Sequence, residues 1–229
     1  MHYHQRDSAG LKKLVVHQFA KNTFRILFIL SLLFFNSASV YVDYTRTSLA
    51  FNPDQLQTGD IILRQGRSAV SQMVMSIDQE SLFSHSGIIY RDEDGITYVI
   101  HAIPYEEGAL DNKNSYVRKD VITSFLRADR AQYAAVYRVK DNSSEIGIEA
   151  ANAALIFFER MLVFDLDFDL GKDDQLYCTE LVWRAYLAAG VDLVDGTFDY
   201  LALPFYHGSY ILPSRLANSR WLDEIVLIE

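Results

Sequence analysis

The single cysteine of the chain, Cys178, stands where a nucleophile would be expected. It follows Asp173 and Asp174, two candidate N-caps, and falls near the first turn of a helix predicted over 176–189. Near the first turn of a helix, unpaired N–H groups and the dipole favour a thiolate and offer a site for an oxyanion. The two aspartates oppose that charge, so such a thiolate needs an imidazolium partner. The alternative is a small buried hydrophobe, the usual fate of a lone cysteine.

Two histidines, His85 and His101, lie in the arms of a predicted β-hairpin over residues 83–103. A five-residue loop at 91–95 would place His85 directly opposite His101, with Cβ atoms about 4.5–5.5 Å apart. A loop one residue shorter or longer would turn one ring to the other face. The alternative is that the two are unrelated strand histidines.

Together these three residues have the chemistry of a papain-type site. His85 would accept the proton of the thiol, and His101 would orient His85 through a ring hydrogen bond. Cys178 would then attack a carbonyl carbon and form an acyl-enzyme.

The elements that must position these residues predict one α+β domain. Apolar spacing marks the helices, and β-rich runs mark the strands. We expect strands at 58–64, 83–90, 96–103, 133–139 and 225–228, and helices at 68–78, 121–128, 144–162 and 176–189. In this scheme Ser144 is the N-cap of the third helix, and Gly190 ends the fourth.

Four segments carry a resemblance to a known family. They are 59–62 (Gly-Asp-Ile-Ile), 84–88 (Ser-His-Ser-Gly-Ile), 164–168 (Phe-Asp-Leu-Asp-Phe) and 177–182 (Tyr-Cys-Thr-Glu-Leu-Val). In this order they resemble the circularly permuted papain-like hydrolases, the YiiX/YebB-type branch of the NlpC superfamily, which is akin to lecithin retinol acyltransferase. The resemblance covers about residues 54–215. It implies a circularly permuted papain-like (NlpC-type) α+β fold with an antiparallel barrel-like sheet and a nucleophile helix.

By position, the resemblance assigns the nucleophile to Cys178, the base to His85 and the third polar position to His101. YiiX-like members often have a carboxylate at that third position, and a neutral histidine stabilises an imidazolium less well than a carboxylate does. Glu106 or Glu107 could substitute, although both lie in a predicted loop.

Three further polar residues are expected to lie outside the chemistry. Asp60 begins a strand, and Glu180 can hydrogen-bond nearby backbone, so both are predicted to be structural. His207 is predicted to be a loop residue, with lining of the substrate cleft as the alternative.

No metal or cofactor is expected. Two histidines and one cysteine could in principle bind zinc, but a fourth ligand and C-x-x-C spacing are lacking. The chain also has no phosphate-binding Gly-rich loop and no dinucleotide fingerprint.

The charge divides the chain into two parts. Residues 1–42 carry five basic side chains and one acidic one, which leaves 16 basic and 29 acidic groups in 43–229. After the basic tip comes an apolar run at 26–35, extended to 42, which is typical of a signal peptide or a short membrane anchor. A buried core helix is the weaker alternative, because the run has no polar face. We therefore expect 1–42 to be a topogenic segment, with retention slightly favoured over cleavage, and 43–229 to be the catalytic domain.

These features predict the location and partners of the protein. Positive residues before the apolar run would keep the N-terminus cytoplasmic, so the body would lie outside the cytoplasm. We expect a protein of the bacterial cell envelope, either anchored in the inner membrane through residues 26–42 and facing the periplasm, or secreted to the periplasm. The net charge of −9 argues against nucleic acid as a partner.

The predicted function is that of an exported cysteine hydrolase that cleaves an amide bond, with cell-wall peptides (peptidoglycan) as reachable substrates. Two alternatives stay open. One is a lipid-directed acyltransferase or amide/ester hydrolase, and the other is a catalytically silent binding protein that keeps the fold.

Overall fold

The structure is a computed structural model that describes residues 51–104, 116–140, 143–203 and 206–228. The strands of this part are β1 (Ile61–Gly66), β2 (His85–Arg91), β3 (Thr97–Ala102), β4 (Val117–Val121), β5 (Ala131–Val139), β6 (Val163–Phe164), β7 (Gln175–Leu176), β8 (Asp199–Leu203), β9 (Tyr206–Tyr210) and β10 (Leu222–Ile228). The helices are α1 (Ala69–Ile77), α2 (Ile122–Phe125), α3 (Ser143–Glu159), α4 (Cys178–Ala188) and α5 (Pro213–Ala217). A 3₁₀ turn, Pro53–Gln55, precedes β1.

Six strands form an antiparallel sheet in the order β10-β5-β1-β2-β3-β4. β6 and β7 form a short parallel pair, and β8 and β9 form a two-stranded sheet of their own. Residues 200–208 belong to a compact unit distinct from the one that holds the six-stranded sheet. The predicted α+β class with an antiparallel sheet is confirmed.

Both faces of the six-stranded sheet are covered by apolar side chains. Neighbouring residues of a strand point to opposite sides, so each strand contributes to both cores. Ile61 and Leu63 of β1 belong to a core that includes residues of α3 and α4, such as Ala150 and Leu181. Ile62, between them, belongs to a second core that includes residues of α2. We call these sides the α4 face and the α2 face. Removal of this apolar surface from water is the main source of stability for the sheet.

The predicted boundaries hold for most elements and fail at a few. α3 begins at Ser143, so Ser144 lies inside the helix and is not its N-cap, and the helix ends at Glu159. Strand β4 was not predicted. The predicted strand and helix that hold His85 and Cys178 are present as β2 and α4.

Asp60 has the structural role predicted for it. Its carboxylate is buried and bonds Arg138 through two nitrogens, Nε and Nη2, each at 2.7 Å. The same carboxylate accepts the N–H of Gln57 at 2.7 Å. This ion pair joins the start of β1 to β5.

The predicted signal peptide or anchor at 26–42 lies outside the described residues. Within the part of the chain that the structure describes, we find no helix long and apolar enough to cross a membrane.

Candidate active site

Cys178 is the first residue of α4, which agrees with its predicted place near the first turn, although the helix was predicted to begin at 176. The N-cap is Tyr177, not Asp173 or Asp174, and its N–H donates to Glu180 Oε2 at 3.3 Å. Glu180 is fully buried and also accepts a bond from Arg184 Nε at 2.9 Å. Burial raises the pKa of Glu180 to about 7, and Arg184 opposes that rise. Glu180 therefore supports the first turn of α4, which agrees with its predicted structural role.

Cys178 is a half-buried free cysteine. Burial raises the pKa of its thiol, while the N–H and hydroxyl of Ser86 and the N–H groups of Thr179 and Cys178, which could donate to a thiolate, oppose the rise. Because burial prevails, the resting sulfur is a thiol. The thiolate expected at this helix end is therefore not the resting form, although the donors that would stabilise it are in place.

The two predicted histidines meet. His85 Nε2 and His101 Nδ1 are 2.9 Å apart, and the ring planes are nearly perpendicular, at 80°. The predicted register is wrong, since Arg91 pairs with Thr97 and the five-residue loop is 92–96. His85 is therefore diagonal to His101 and not directly opposite. The shift moves the pairing by two positions, which keeps both side chains on one face and allows the rings to touch.

A carboxylate that the sequence analysis missed completes this arrangement. Asp120 of β4 lies with Oδ2 3.4 Å from His101 Nε2. Arg118 Nη2 bonds Asp120 Oδ1 at 2.9 Å, and Arg130 Nη1 is 3.6 Å from Oδ2. Burial opposes ionisation of Asp120, but His101 and Arg118 outweigh it and hold the pKa of the carboxyl below its usual range. The carboxylate is therefore ionised.

This carboxylate fixes the protons on both rings. An ionised Asp120 can only accept, so His101 carries its proton on Nε2. His101 Nδ1 then accepts a hydrogen bond from the N–H at His85 Nε2, and the neutral His85 ring carries no proton on Nδ1. No other described group forms a hydrogen bond with that nitrogen. The chain Asp120–His101–His85 thus ends in a free basic nitrogen.

The surroundings keep His85 in its neutral, basic form. Its ring stacks on Phe125 at a centroid distance of 5.7 Å, and the Arg64 guanidinium lies 4.2 Å from the centre of the same Phe125 ring. Burial, then the charge of Arg64, then His101 lower the pKa of His85 well below its ordinary value. Burial also lowers the pKa of His101, against the opposing effect of Asp120.

The described residues contain no hydrogen bond between Cys178 and either imidazole. Ser86 pairs with Leu63 on the α4 face, whereas His85 pairs with Arg64 on the α2 face. The residue that faces α4 is therefore Ser86, which follows His85, and not His85 itself. The His85 ring and the sulfur thus lie on opposite faces of the sheet in this structure, so direct proton transfer between them requires a movement of the His85 side chain.

Glu106 and Glu107 lie outside the described residues, as does the side chain of His207 in β9. Asp120 had escaped prediction because residues 117–121, Val-Arg-Lys-Asp-Val, lack the alternation of apolar side chains that marks a strand. Continuation of the hairpin into a third antiparallel strand is the signal that could have found it.

Comparison with known proteins places this geometry in context. A family profile described as "Permuted papain-like amidase enzyme, YaeF/YiiX, C92 family" matches residues 55–200. A crystal structure titled metalloprotein YiiX from Escherichia coli O157:H7 is similar, with a TM-score of 0.60 and 21% sequence identity. The alignment covers 75% of this chain and 97% of that one. A search of curated proteins found no match. The permuted papain-like fold predicted from the sequence is confirmed.

The word metalloprotein in that title calls for a test of the residues present here. Among the residues described, no three His, Cys, Asp or Glu side chains are grouped so that they could hold a metal ion. His85 and His101 face each other at hydrogen-bond distance, 2.9 Å. The described residues therefore do not form a metal site.

Proposed function

Because this chain belongs to the permuted papain-like amidase family of the YaeF/YiiX type, we propose that it is an amidase with Cys178 as nucleophile and His85 as general base. The observation that carries the proposal is the bonded chain from Asp120 through His101 to His85, which leaves Nδ1 of His85 unprotonated. This nitrogen belongs to the residue next to Ser86, whose N–H and hydroxyl lower the pKa of the Cys178 thiol against the effect of burial.

In the proposed reaction, His85 Nδ1 takes the thiol proton as the sulfur attacks the amide carbonyl carbon. The carbon–nitrogen bond then breaks, and the new imidazolium gives its proton to the departing amine. A water molecule attacks the resulting thioester and passes one proton to His85. The carboxylic acid leaves, and that proton returns to the sulfur.

Two features of the site support this sequence of steps. The tetrahedral intermediate carries an oxyanion, and the N–H of Cys178 at the start of α4 is a donor of the kind that stabilises such charge. The imidazolium that forms on His85 is one histidine away from the ionised Asp120. The Asp120 carboxylate thus stabilises the imidazolium of His85 through His101. A neutral His101 alone would stabilise that charge only weakly.

We further propose that the substrate is an amide in cell-wall peptides and that the protein is exported to the bacterial envelope or anchored there. The basic tip followed by the apolar run at 26–42 supports export, and the family description supports amide chemistry. Mass spectrometry of the reaction products identifies the scissile bond and the acyl acceptor.

The test is incubation of the purified protein with peptidoglycan fragments, and separately with acylated lipids, followed by mass spectrometry of the products. We expect a new amine and a new carboxylic acid from the peptidoglycan fragments, and none with Cys178→Ala. Cleavage or acyl transfer confined to the lipids would contradict the proposed substrate but keep the nucleophile. Products that persist in Cys178→Ala would overturn the proposed mechanism. Protease accessibility of the body in intact spheroplasts tests the location.

A further inference from the structure

Ser86 carries a buried hydroxyl whose hydrogen-bonding capacity is unused. The residue is 0% exposed, and its Oγ has no hydrogen-bond partner of acceptable geometry among the described residues. The neighbouring buried serine, Ser84, is different, since its Oγ accepts the N–H of Gly66 at 2.9 Å. Buried polar groups are nearly always partnered in folded proteins, so an unpartnered one calls for a reason.

The position of Ser86 supplies that reason. It pairs with Leu63 on the α4 face of the sheet, and α4 begins at Cys178. Helix α4 packs against β2, the strand that holds Ser86, and the N–H and hydroxyl of Ser86 favour the ionised form of the Cys178 sulfur. A neutral thiol is a poor acceptor, whereas a thiolate accepts strong hydrogen bonds. The unused hydroxyl of Ser86 is therefore a donor on the side of the Cys178 sulfur, which becomes a strong acceptor when it loses its proton.

We propose that Ser86 is a further catalytic residue, whose hydroxyl donates a hydrogen bond to the sulfur of Cys178 when that sulfur is negatively charged. This role rests on the proposed function, in which the sulfur is a nucleophile. The hydroxyl is idle in the resting thiol and becomes engaged when His85 removes the proton. The backbone N–H of Ser86 would contribute a second donor that no substitution at this position removes.

The hydrogen bond can be measured without any substrate, because Cys178 is the sole cysteine of the chain and all thiol labelling reports on it. The experiment is the rate of iodoacetamide alkylation against pH for the wild type, Ser86→Ala and the control Ser84→Ala. The titratable residues that flank the pair, Tyr177, Glu180 and His85, stay unchanged in all three proteins.

Loss of a hydrogen bond to a charged sulfur should raise the midpoint of the Ser86→Ala profile by about one pH unit. A thiolate of higher pKa is a stronger nucleophile, so the rate should fall only about threefold below the midpoint and rise about threefold on the plateau. Ser84→Ala should keep the wild-type midpoint. Ser86→Ala should also melt no earlier than the wild type, because it removes a buried group that had no partner.

An unchanged midpoint in a folded Ser86→Ala protein would overturn the role of Ser86. So would an equal shift in Ser84→Ala, since it would mean that the change is general and not due to this hydroxyl. An earlier melting temperature with no shift of midpoint would make Ser86 structural. Failure of the proposed function has a different signature, namely a wild-type protein that alkylates normally but is never acylated by a substrate.

Discussion

The carboxylate of Asp120 can be replaced at nearly constant shape by Asp120→Asn. Two nitrogens of Arg118 donate to Oδ1, at 3.3 Å and 2.9 Å, so the amide oxygen should take that position. The amide NH₂ would then face His101 Nε2 at the present 3.4 Å and could only donate to it. That forces the His101 proton onto Nδ1, which in turn forces the His85 proton onto its own Nδ1. The nitrogen that should accept the thiol proton would already be occupied.

The size of the effect follows from the hydrogen bond that is lost. A hydrogen bond to a charged group contributes about 1.5–3 kcal/mol. At about 1.4 kcal/mol for each factor of ten, this corresponds to a tenfold to hundredfold slower acylation of Cys178, by order of magnitude. The 3.4 Å separation between Asp120 and His101 favours the lower part of that range, whereas the blocked tautomer favours the upper part.

The assay is the pre-steady-state release of p-nitrophenolate when p-nitrophenyl acetate acylates the protein, with Cys178→Ala as the background. Asp129→Asn is the matched control, because it makes the same chemical change in an ion pair at 2.5 Å with Arg127, outside the histidine chain. Such a surface pair contributes only about 0–1 kcal/mol to stability. Circular dichroism melting of each variant separates loss of function from loss of fold.

The reasoning is refuted if Asp120→Asn folds as the wild type does and acylates at the wild-type rate. Asp129→Asn should acylate normally, and a loss there equal to that of Asp120→Asn would show that the assay senses negative charge in general. Asp120→Ala tests the same point differently, since it removes the carboxylate without adding a donor, and His101 is then free to choose its tautomer. We expect it to be less impaired than Asp120→Asn if it folds.

Three further predictions concern pH and backbone geometry. Alkylation of Cys178 by iodoacetamide should rise in a single alkaline step because burial raises the pKa of the thiol, and a plateau that persists at acidic pH would contradict this. The pKa of His85 is lowered in the folded state, so its contribution to stability is present above the ordinary value of 6.5 and is lost as the pH falls. His85→Gln should flatten the fall of melting temperature below pH 6.5, and an unchanged slope would refute that origin. Gly59→Ala should cost at least about 2 kcal/mol in urea unfolding, because Gly59 has φ +98° and its Cβ would lie 2.2 Å from Gly147 Cα. Gly95→Ala, with φ +79° and open space, should cost about 1 kcal/mol, and equal losses would remove the steric explanation.

Local sequence was sufficient for the elements that carry the histidines and the cysteine. The apolar spacing over 176–189 predicted α4, which begins two residues later, at Cys178. The cap could not be chosen correctly in the same way, because Asp173 and Asp174 are good N-caps by type whereas the chain forms β7 just before Tyr177. Residue type sets what can cap a helix, but tertiary pairing sets where the helix starts.

The histidine pair shows how a local error can leave a site intact. The loop was placed one residue too early, so the predicted partners were shifted by two. Because side chains alternate along a strand with a period of two, the error kept His85 and His101 on one face. An error of one residue in loop length would have separated them.

Asp120 and the state of Ser86 were beyond reach of the sequence for different reasons. Asp120 meets His101 only because β4 pairs with β3. The sequence of β4 has no alternation of apolar residues, so this strand and its pairing could not be predicted. Whether the Ser86 hydroxyl finds a hydrogen-bond partner depends on which side chains surround it. The packing of α4 against β2 determines those neighbours. The carboxylate of the site and its unused donor therefore became visible only in the three-dimensional structure.

The central claim is that His85 is the base for the nucleophile Cys178, and it can be tested by intact-mass spectrometry of acylation by p-nitrophenyl acetate. We predict that the wild type gains one acetyl group, carried by Cys178, and then loses it by hydrolysis. His85→Ala should acylate at least about a hundredfold more slowly at neutral pH, while its thiol still reacts fully with iodoacetamide at alkaline pH. Equal acylation rates in a folded His85→Ala protein would contradict the account.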